Sequence, residues 1–215
     1  MSYRQELETA KKAALAAGQI LIEQKNNLNK SIFSSNTDIK LEADLVAEKL
    51  IKEILTNETS FPILAEESGQ SSDELSDIFW VVDPLDGTAN YSRNIPICCV
   101  SIALIKNMEP VLGVIYDFSN NDLYEGSVNT SAMQNGLEIK VSDISNQGEG
   151  ILITGLPNKT DYSDEALLKM VKDFQGWRKV RMIGSAAIGS VYIASGKADV
   201  YKESRTYFWD VAAGA

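Results

Sequence analysis

No histidine occurs anywhere in this 215-residue chain. That absence excludes Ser-His-Asp hydrolysis, Cys-His nucleophiles, phosphohistidine chemistry and most zinc enzymes, all of which need an imidazole as base or ligand. Carboxylates, hydroxyls and metal ions bound through oxygen remain. Cysteine is scarce too, with only Cys98 and Cys99 present. They are neighbours on an expected strand, where successive side chains point to opposite faces, so a disulfide between them is geometrically poor and both read as reduced core residues. Positive charge is in short supply: 20 Lys and Arg against 30 Asp and Glu give a net charge of −10. The cations are scattered, which disfavours a nucleic-acid or anionic-membrane partner. An acidic enzyme acting on an anionic substrate therefore needs local positive charge, and a bound metal ion supplies it. No apolar run approaches about 18 residues, and no charged start followed by an apolar stretch opens the chain, so the cytoplasm is the expected location.

What is present reads as a mixed αβ protein with enough apolar residues for a substantial core. Leu7, Ala10, Ala14, Leu15, Ala17, Ile20 and Leu21 recur at helical spacing and predict a first helix over Tyr3–Lys25, with a second over Ala43–Thr56. The polar stretch Asn26–Lys40 between them reads as a loop. Strands are expected at Phe61–Ala65, Ile78–Asp83, Ile97–Ile105, Val111–Asp117 and Asp122–Glu125. The remainder alternates: a strand at Ile151–Thr154, a helix over Ser163–Phe174, a strand at Val180–Ile183, a helix over Ser185–Ser195 and a strand at Ala198–Lys202. The division expected is an N-terminal α+β unit over residues 1–143 and a C-terminal α/β unit over residues 144–215, with the boundary near Glu138–Glu149.

The most informative stretch is Trp80-Val81-Val82-Asp83-Pro84-Leu85-Asp86-Gly87-Thr88-Ala89-Asn90-Tyr91. A buried apolar strand runs to Val82, and Pro84 and Gly87 then force the chain into a tight turn. Asp83 and Asp86 converge there. Two acids held so close repel unless a cation lies between them, and oxygen-only ligands suit Mg²⁺ better than zinc. A helix starting after Gly87 would turn its free N–H groups to the same point and could hold a phosphate.

Asp83 through Tyr91 resembles, at every position, the signature Asp-Pro-(Ile/Leu)-Asp-Gly-Thr-x-Asn-(Phe/Tyr) of the inositol monophosphatase-like, Mg²⁺-dependent, lithium-sensitive phosphatases. Trp209-Asp210-Val211-Ala212-Ala213-Gly214 resembles the family's Trp-Asp signature. Glu66-Glu67 resembles its Glu-Glu pair. The resemblance runs from the N-terminal helix to the last residue and implies a five-layered αβαβα sandwich of the inositol monophosphatase and fructose-1,6-bisphosphatase type. Such proteins continue for several tens of residues past the Trp-Asp signature, so the family's usual C-terminal segment is expected to be lacking here and the second sheet to be partly uncovered.

The resemblance also implies roles. Two or three Mg²⁺ ions are the expected cofactors, one on Glu66, Asp83 and the Leu85 carbonyl and a second on Asp83, Asp86 and Asp210, with a third, weaker ion near Glu66 in some members. Thr88, Asp44 and Glu66 are the expected catalytic residues, Thr88 positioning water and Asp44 accepting its proton. Gly87, Thr88, Gly184, Ser185 and Ala186 are expected at the phosphate, and Glu203 and Asp210 at the substrate, where Glu203 favours a polyol. Around Asp44 the pattern departs from the family, because Ile39-Lys40-Leu41-Glu42-Ala43-Asp44 lacks its Thr. The function implied is Mg²⁺-dependent hydrolysis of a small phosphate monoester, inositol monophosphate foremost, without a phosphoenzyme and in a homodimer. Fructose-1,6-bisphosphate, 3′-phosphoadenosine-5′-phosphate and NADP are the alternative substrates, and a catalytically silent metal-binding scaffold is the alternative of another class. A haloacid-dehalogenase reading fails because Leu85 stands where its second acid belongs. A protein-tyrosine-phosphatase reading fails because no Arg follows either Cys at the required spacing.

Overall fold

One long strand, buried on both faces, fixes the positions of everything else. The structure, a computed structural model, describes residues 3–35, 39–72, 74–156 and 161–215. The chain begins with α1 (Arg4–Glu23), a short α2 (Lys25–Leu28), an antiparallel ribbon of β1 (Ser31–Ser34) and β2 (Ile39–Leu41), and α3 (Glu42–Glu58). Then come β3 (Ile63–Ala65), β4 (Gly69–Gln70), β5 (Ile78–Asp86), α4 (Thr88–Ser92), β6 (Cys99–Lys106), β7 (Glu109–Asp117), β8 (Asp122–Ser127), β9 (Thr130–Gln134) and β10 (Leu137–Glu138). A second set follows: β11 (Ile151–Thr154), α5 (Asp164–Phe174), β12 (Lys179–Met182), α6 (Ala186–Ala194), β13 (Val200–Tyr201) and α7 (Phe208–Val211).

Strands β3 to β10 form an eight-stranded mixed sheet in the order β10-β9-β8-β7-β6-β5-β3-β4, and β12-β11-β13 form a parallel three-stranded sheet. Alternation along β5 sends Trp80 and Val82 to one face and Phe79 and Val81 to the other. The first face is covered by α1 and α3 through Ala10, Ala14, Leu21, Ala47, Ile51 and Leu55, all fully buried. Each large side chain buried there contributes roughly 1.5–3 kcal/mol. Close approach explains Gly18, where an added Cβ would lie 2.4 Å from the Tyr116 ring.

The opposite face packs on α6 through Ala187, Ile188 and Val191 and on the α7 region through Phe208, Trp209 and Ala212. Gly189 of α6 lies under Tyr201 and Ile153 of the small sheet. Leu152 and Thr154 point to that sheet's far side, where α5 lies across them. The layers therefore run helix, sheet, helix, sheet, helix, as the resemblance implies.

The expectations differ from this in places. Asn26–Lys40 is not simply a loop, since α2, β1 and β2 occupy most of it, while its residues 36–38 lie outside the described residues. Strands β9 and β10 extend the large sheet beyond the expected edge. No helix of the described residues is long and apolar enough to cross a membrane.

Candidate active site

The site is built at the carboxyl end of β5. Pairing with β6 shifts register between Asp83 and Asp86, so the ladder is interrupted where the two acids stand. Gly87 follows with φ +90°, a conformation that strains any other residue, and an added Cβ would lie 2.7 Å from the Ile97 carbonyl oxygen. Asn90 ties the turn down, its Nδ2 donating to Ile97 O at 2.8 Å and to Ile183 O at 2.7 Å. The second bond joins α4 to the start of α6.

Asp83 is only 2% exposed and accepts from the Leu85 N–H at 3.0 Å. It also shares a hydrogen bond with Glu66, and burial, followed by the charges of Glu66, Asp86 and Asp210, raises its pKa well above the ordinary carboxylate range. Glu66 is pushed up to about 8, chiefly by burial, with Glu67, Asp210 and Asp44 adding repulsion. Asp210, in the first turn of α7, accepts from the Tyr207 N–H at 2.8 Å; burial, then Asp86 and Glu203, push it up to about 7. Asp86 is raised by burial and held back by four donors: the Ser185 hydroxyl, the Ala187 N–H at 2.8 Å, the Ala186 N–H at 3.3 Å and the Cys99 thiol at 3.8 Å.

Beside these acids lies the expected pair. Asp44 is 1% exposed; its Oδ2 accepts from the Leu41 N–H at 2.7 Å, and its Oδ1 is 2.9 Å from the Thr88 hydroxyl. Burial pushes Asp44 up to about 6 against those two bonds. The Leu85 carbonyl is 3.0 Å from the same hydroxyl, so one Thr88 proton serves two acceptors. A carbonyl has two lone pairs, which leaves Leu85 able to take a second partner.

The structure thus brings Glu66, Asp83, Asp86 and Asp210 close enough for each to feel another's charge, with Asp44 and Thr88 alongside. Among the described residues, no three acidic or cysteine side chains already stand as a metal cage. Asp86 is turned to the start of α6 and Asp210 to its own helix start. The donor set still fits a hard divalent cation: all oxygen, with protonation driven upward first by burial and then by mutual repulsion. Of the residues expected at a phosphate, Ser185 and Ala186 donate with Ala187 to the Asp86 carboxylate, itself an anion at a helix N-terminus, while Gly184 (φ +72°) leads the chain into that turn. Glu203 accepts from the Tyr201 hydroxyl at 2.8 Å and lies at the rim of a 690 Å³ cavity under α5, with Asp86 near enough to raise its pKa further after burial.

Sequence reasoning passed over Asn90 as a tie, Cys99 as a donor to Asp86, and Lys40, whose Nζ is 2.8 Å from Glu67 Oε2. Only Asn90 had a signal, its place in the motif. Trp80 and Trp209 serve packing: Trp80 donates to Thr59 at 2.9 Å and Trp209 stacks on Tyr207 at 4.9 Å.

The model of the inositol monophosphatase family matches residues 2–215. The chain is 39% identical over 207 residues to the Nus factor SuhB of Xylella fastidiosa, covering 94% of this chain and 74% of that protein. It is 34% identical over 218 residues to the fructose-1,6-bisphosphatase/inositol-1-monophosphatase of Aquifex aeolicus, covering 97% and 80%. The solved inositol monophosphatase of Anabaena superposes with a TM-score of 0.87 at 33% identity, covering all of this chain and 80% of that one.

Proposed function

The chain belongs to the inositol monophosphatase family and is a phosphoric monoester hydrolase, and from that premise we propose that it hydrolyses a small phosphate monoester, inositol monophosphate foremost, with Mg²⁺ bound. The observation that carries this reading is the convergence of Glu66, Asp83, Asp86 and Asp210 beside the Thr88–Asp44 hydrogen bond. Glu66, Asp83, Asp86, Asp210 and the Leu85 carbonyl would hold the metal. Bound there, divalent cations supply Lewis-acid activation of water and neutralise charge on the phosphoryl oxygens.

The chain's own residues do the rest. The Thr88 hydroxyl donates its hydrogen bond to Asp44 or to the Leu85 carbonyl, so its oxygen is left to accept from a water and orient it toward phosphorus. Asp44 takes up the proton that moves through Thr88, and a pKa near 6 suits a base working close to neutrality. Water oxygen bonds to phosphorus, the ester oxygen departs with the bonding pair and takes up a proton from solvent, and no residue becomes phosphorylated. Glu203, near enough to Asp86 to feel its charge, accepts from a hydroxyl of the polyol.

The bifunctional name of the Aquifex relative makes fructose-1,6-bisphosphate the second candidate substrate. Phosphate release is to be measured on both esters with and without Mg²⁺, and with lithium added. Release that needs Mg²⁺, is inhibited by lithium and is faster on inositol monophosphate supports the reading. Faster release from the bisphosphate moves the assignment to that substrate, and none from either leaves a scaffold.

A further inference from the structure

Among the described residues, Lys40 is the cation that pairs with Glu67, next to the acids of the pocket. Among the ion pairs between described residues, Lys40–Glu67 is the one that touches the Glu66–Glu67 turn, with Nζ 2.8 Å from Oε2. The Glu67 side chain is 5% exposed and that of Lys40 33%, so the pair is sheltered on the acid's side. Neither end is loosely held. Lys40 lies in β2, paired with Phe33, and the next residue's N–H is the one that Asp44 accepts. On the far side, the Glu67 N–H donates to Glu48 Oε2 at 2.8 Å, and Lys52 donates to the Ser68 hydroxyl at 2.7 Å. The turn carrying both glutamates is thereby clamped between α3 and the β1–β2 ribbon.

An ammonium and a divalent cation compete for the same carboxylate, and a fixed ammonium also repels any second cation nearby. We propose that Lys40 is the internal counter-ion of Glu67, withholding that carboxylate from divalent cations so that the pocket takes two of them and not three. The inference rests on the metal-dependent reading of the site and specifies its stoichiometry. It gives Lys40 a positioning role, because its ammonium acts on the cations through Glu67 and touches neither substrate nor reacting atoms.

The test is Mn²⁺ binding to the full chain without substrate, counted by electron paramagnetic resonance of free Mn²⁺ and by calorimetry, with thermal unfolding to confirm the fold of each variant. Wild type and Lys40→Arg are expected to bind two ions, while Lys40→Met gains a third or binds its weakest ion about tenfold tighter. Glu67→Gln, which removes the carboxylate and not the ammonium, is expected to keep the count at two, and so tests the idea even if Lys40→Met fails to fold. Three ions on the wild type, a Lys40→Met isotherm identical to wild type, or the loss of an ion in Glu67→Gln each overturns the inference while leaving the metal site standing. No binding to wild type overturns the metal-dependent reading as well.

Discussion

Around the end of β5 the protein is filled, and under α5 it is not. Trp80, Val82 and Leu85 are fully buried, Asp83 is 2% exposed, and Gly87 and Asn90 are pinned by neighbouring backbone. In α5 no residue is buried, Leu168 and Val171 are 55% and 48% exposed, and a 690 Å³ cavity separates the helix from β11 and the end of β13. Water attack on phosphorus fails if the attacking group is misplaced by about an ångström, so the groups that would direct it belong on the rigid side. Recognition of the alcohol tolerates more play, and Glu203 stands where the two regions meet. Breaking the rigid side should cost most of the rate, and altering the open side should change only preference.

The largest effect is expected from Asp83→Asn, which keeps shape and removes charge that offsets a cation. Phosphate release should fall at least about a thousandfold, and Asp86→Asn should behave alike. Because Asp83 is raised by burial and by like charges, its Asn variant should unfold no earlier than wild type in the absence of metal. Wild-type rates in either variant would end the metal-dependent reading of the site.

Next is Thr88→Ala, for which kcat should drop about a hundredfold with little change in KM, since the hydroxyl orients water and barely touches the bound ester. Asp44→Asn should lower kcat less cleanly, because it also weakens the bond to the Leu41 N–H. An unchanged kcat in Thr88→Ala would reduce the residue to a turn-former.

The same crowding of acids sets how stability depends on pH. Folded Asp44, Asp210 and Glu66 titrate at about 6, 7 and 8, against ordinary values of 3.8, 3.8 and 4.5. The folded state therefore binds more protons than the unfolded state across that window, so metal-free stability is greatest near pH 4 and falls as pH rises toward 8. The loss should be at least about 2 kcal/mol, read as a lower Tm with chelator at pH 8 than at pH 5. Added Mg²⁺ should restore most of it at pH 8, where the acids are free to ionise onto the cation. A flat Tm with chelator would mean that these carboxylates are better solvated than their burial implies.

How much of this was legible in the sequence depended on sequence distance and on apolar contrast. The strand-turn at Asp83–Thr88 could be read directly, because an apolar run, Pro84 and Gly87 all act within a few residues. The Asp44–Thr88 bond spans 44 positions and the Asp86–Ala187 bond 101, and only the resemblance anticipated the first. It did not anticipate the second, which places the α6 N-terminus on a carboxylate. Strand β1 escaped notice because all four residues are exposed, so no apolar alternation marks it. Nothing near Lys40 in the sequence marks it, because its partner Glu67 lies 27 residues on and only the fold brings the two together.

The smallest effect tests the seam between the two regions. Glu203 accepts from the Tyr201 hydroxyl at 2.8 Å through Oε2, and burial, with Asp86 behind it, raises its pKa. A carboxylate so placed can accept from a polyol hydroxyl with its remaining lone pairs, and a hydrogen bond to a charged group is worth about 1.5–3 kcal/mol. Glu203→Gln keeps the shape and one acceptor oxygen but loses the charge, so the drop in kcat/KM on inositol monophosphate should be about tenfold, near the lower end of that range. An aryl phosphate, which offers no hydroxyl, should be turned over at nearly the wild-type rate, as it relies only on the rigid side. Equal losses on both esters would show that Glu203 supports the acids through Asp86 or holds Tyr201 for the fold, and preference would then have to come from the β5 side after all.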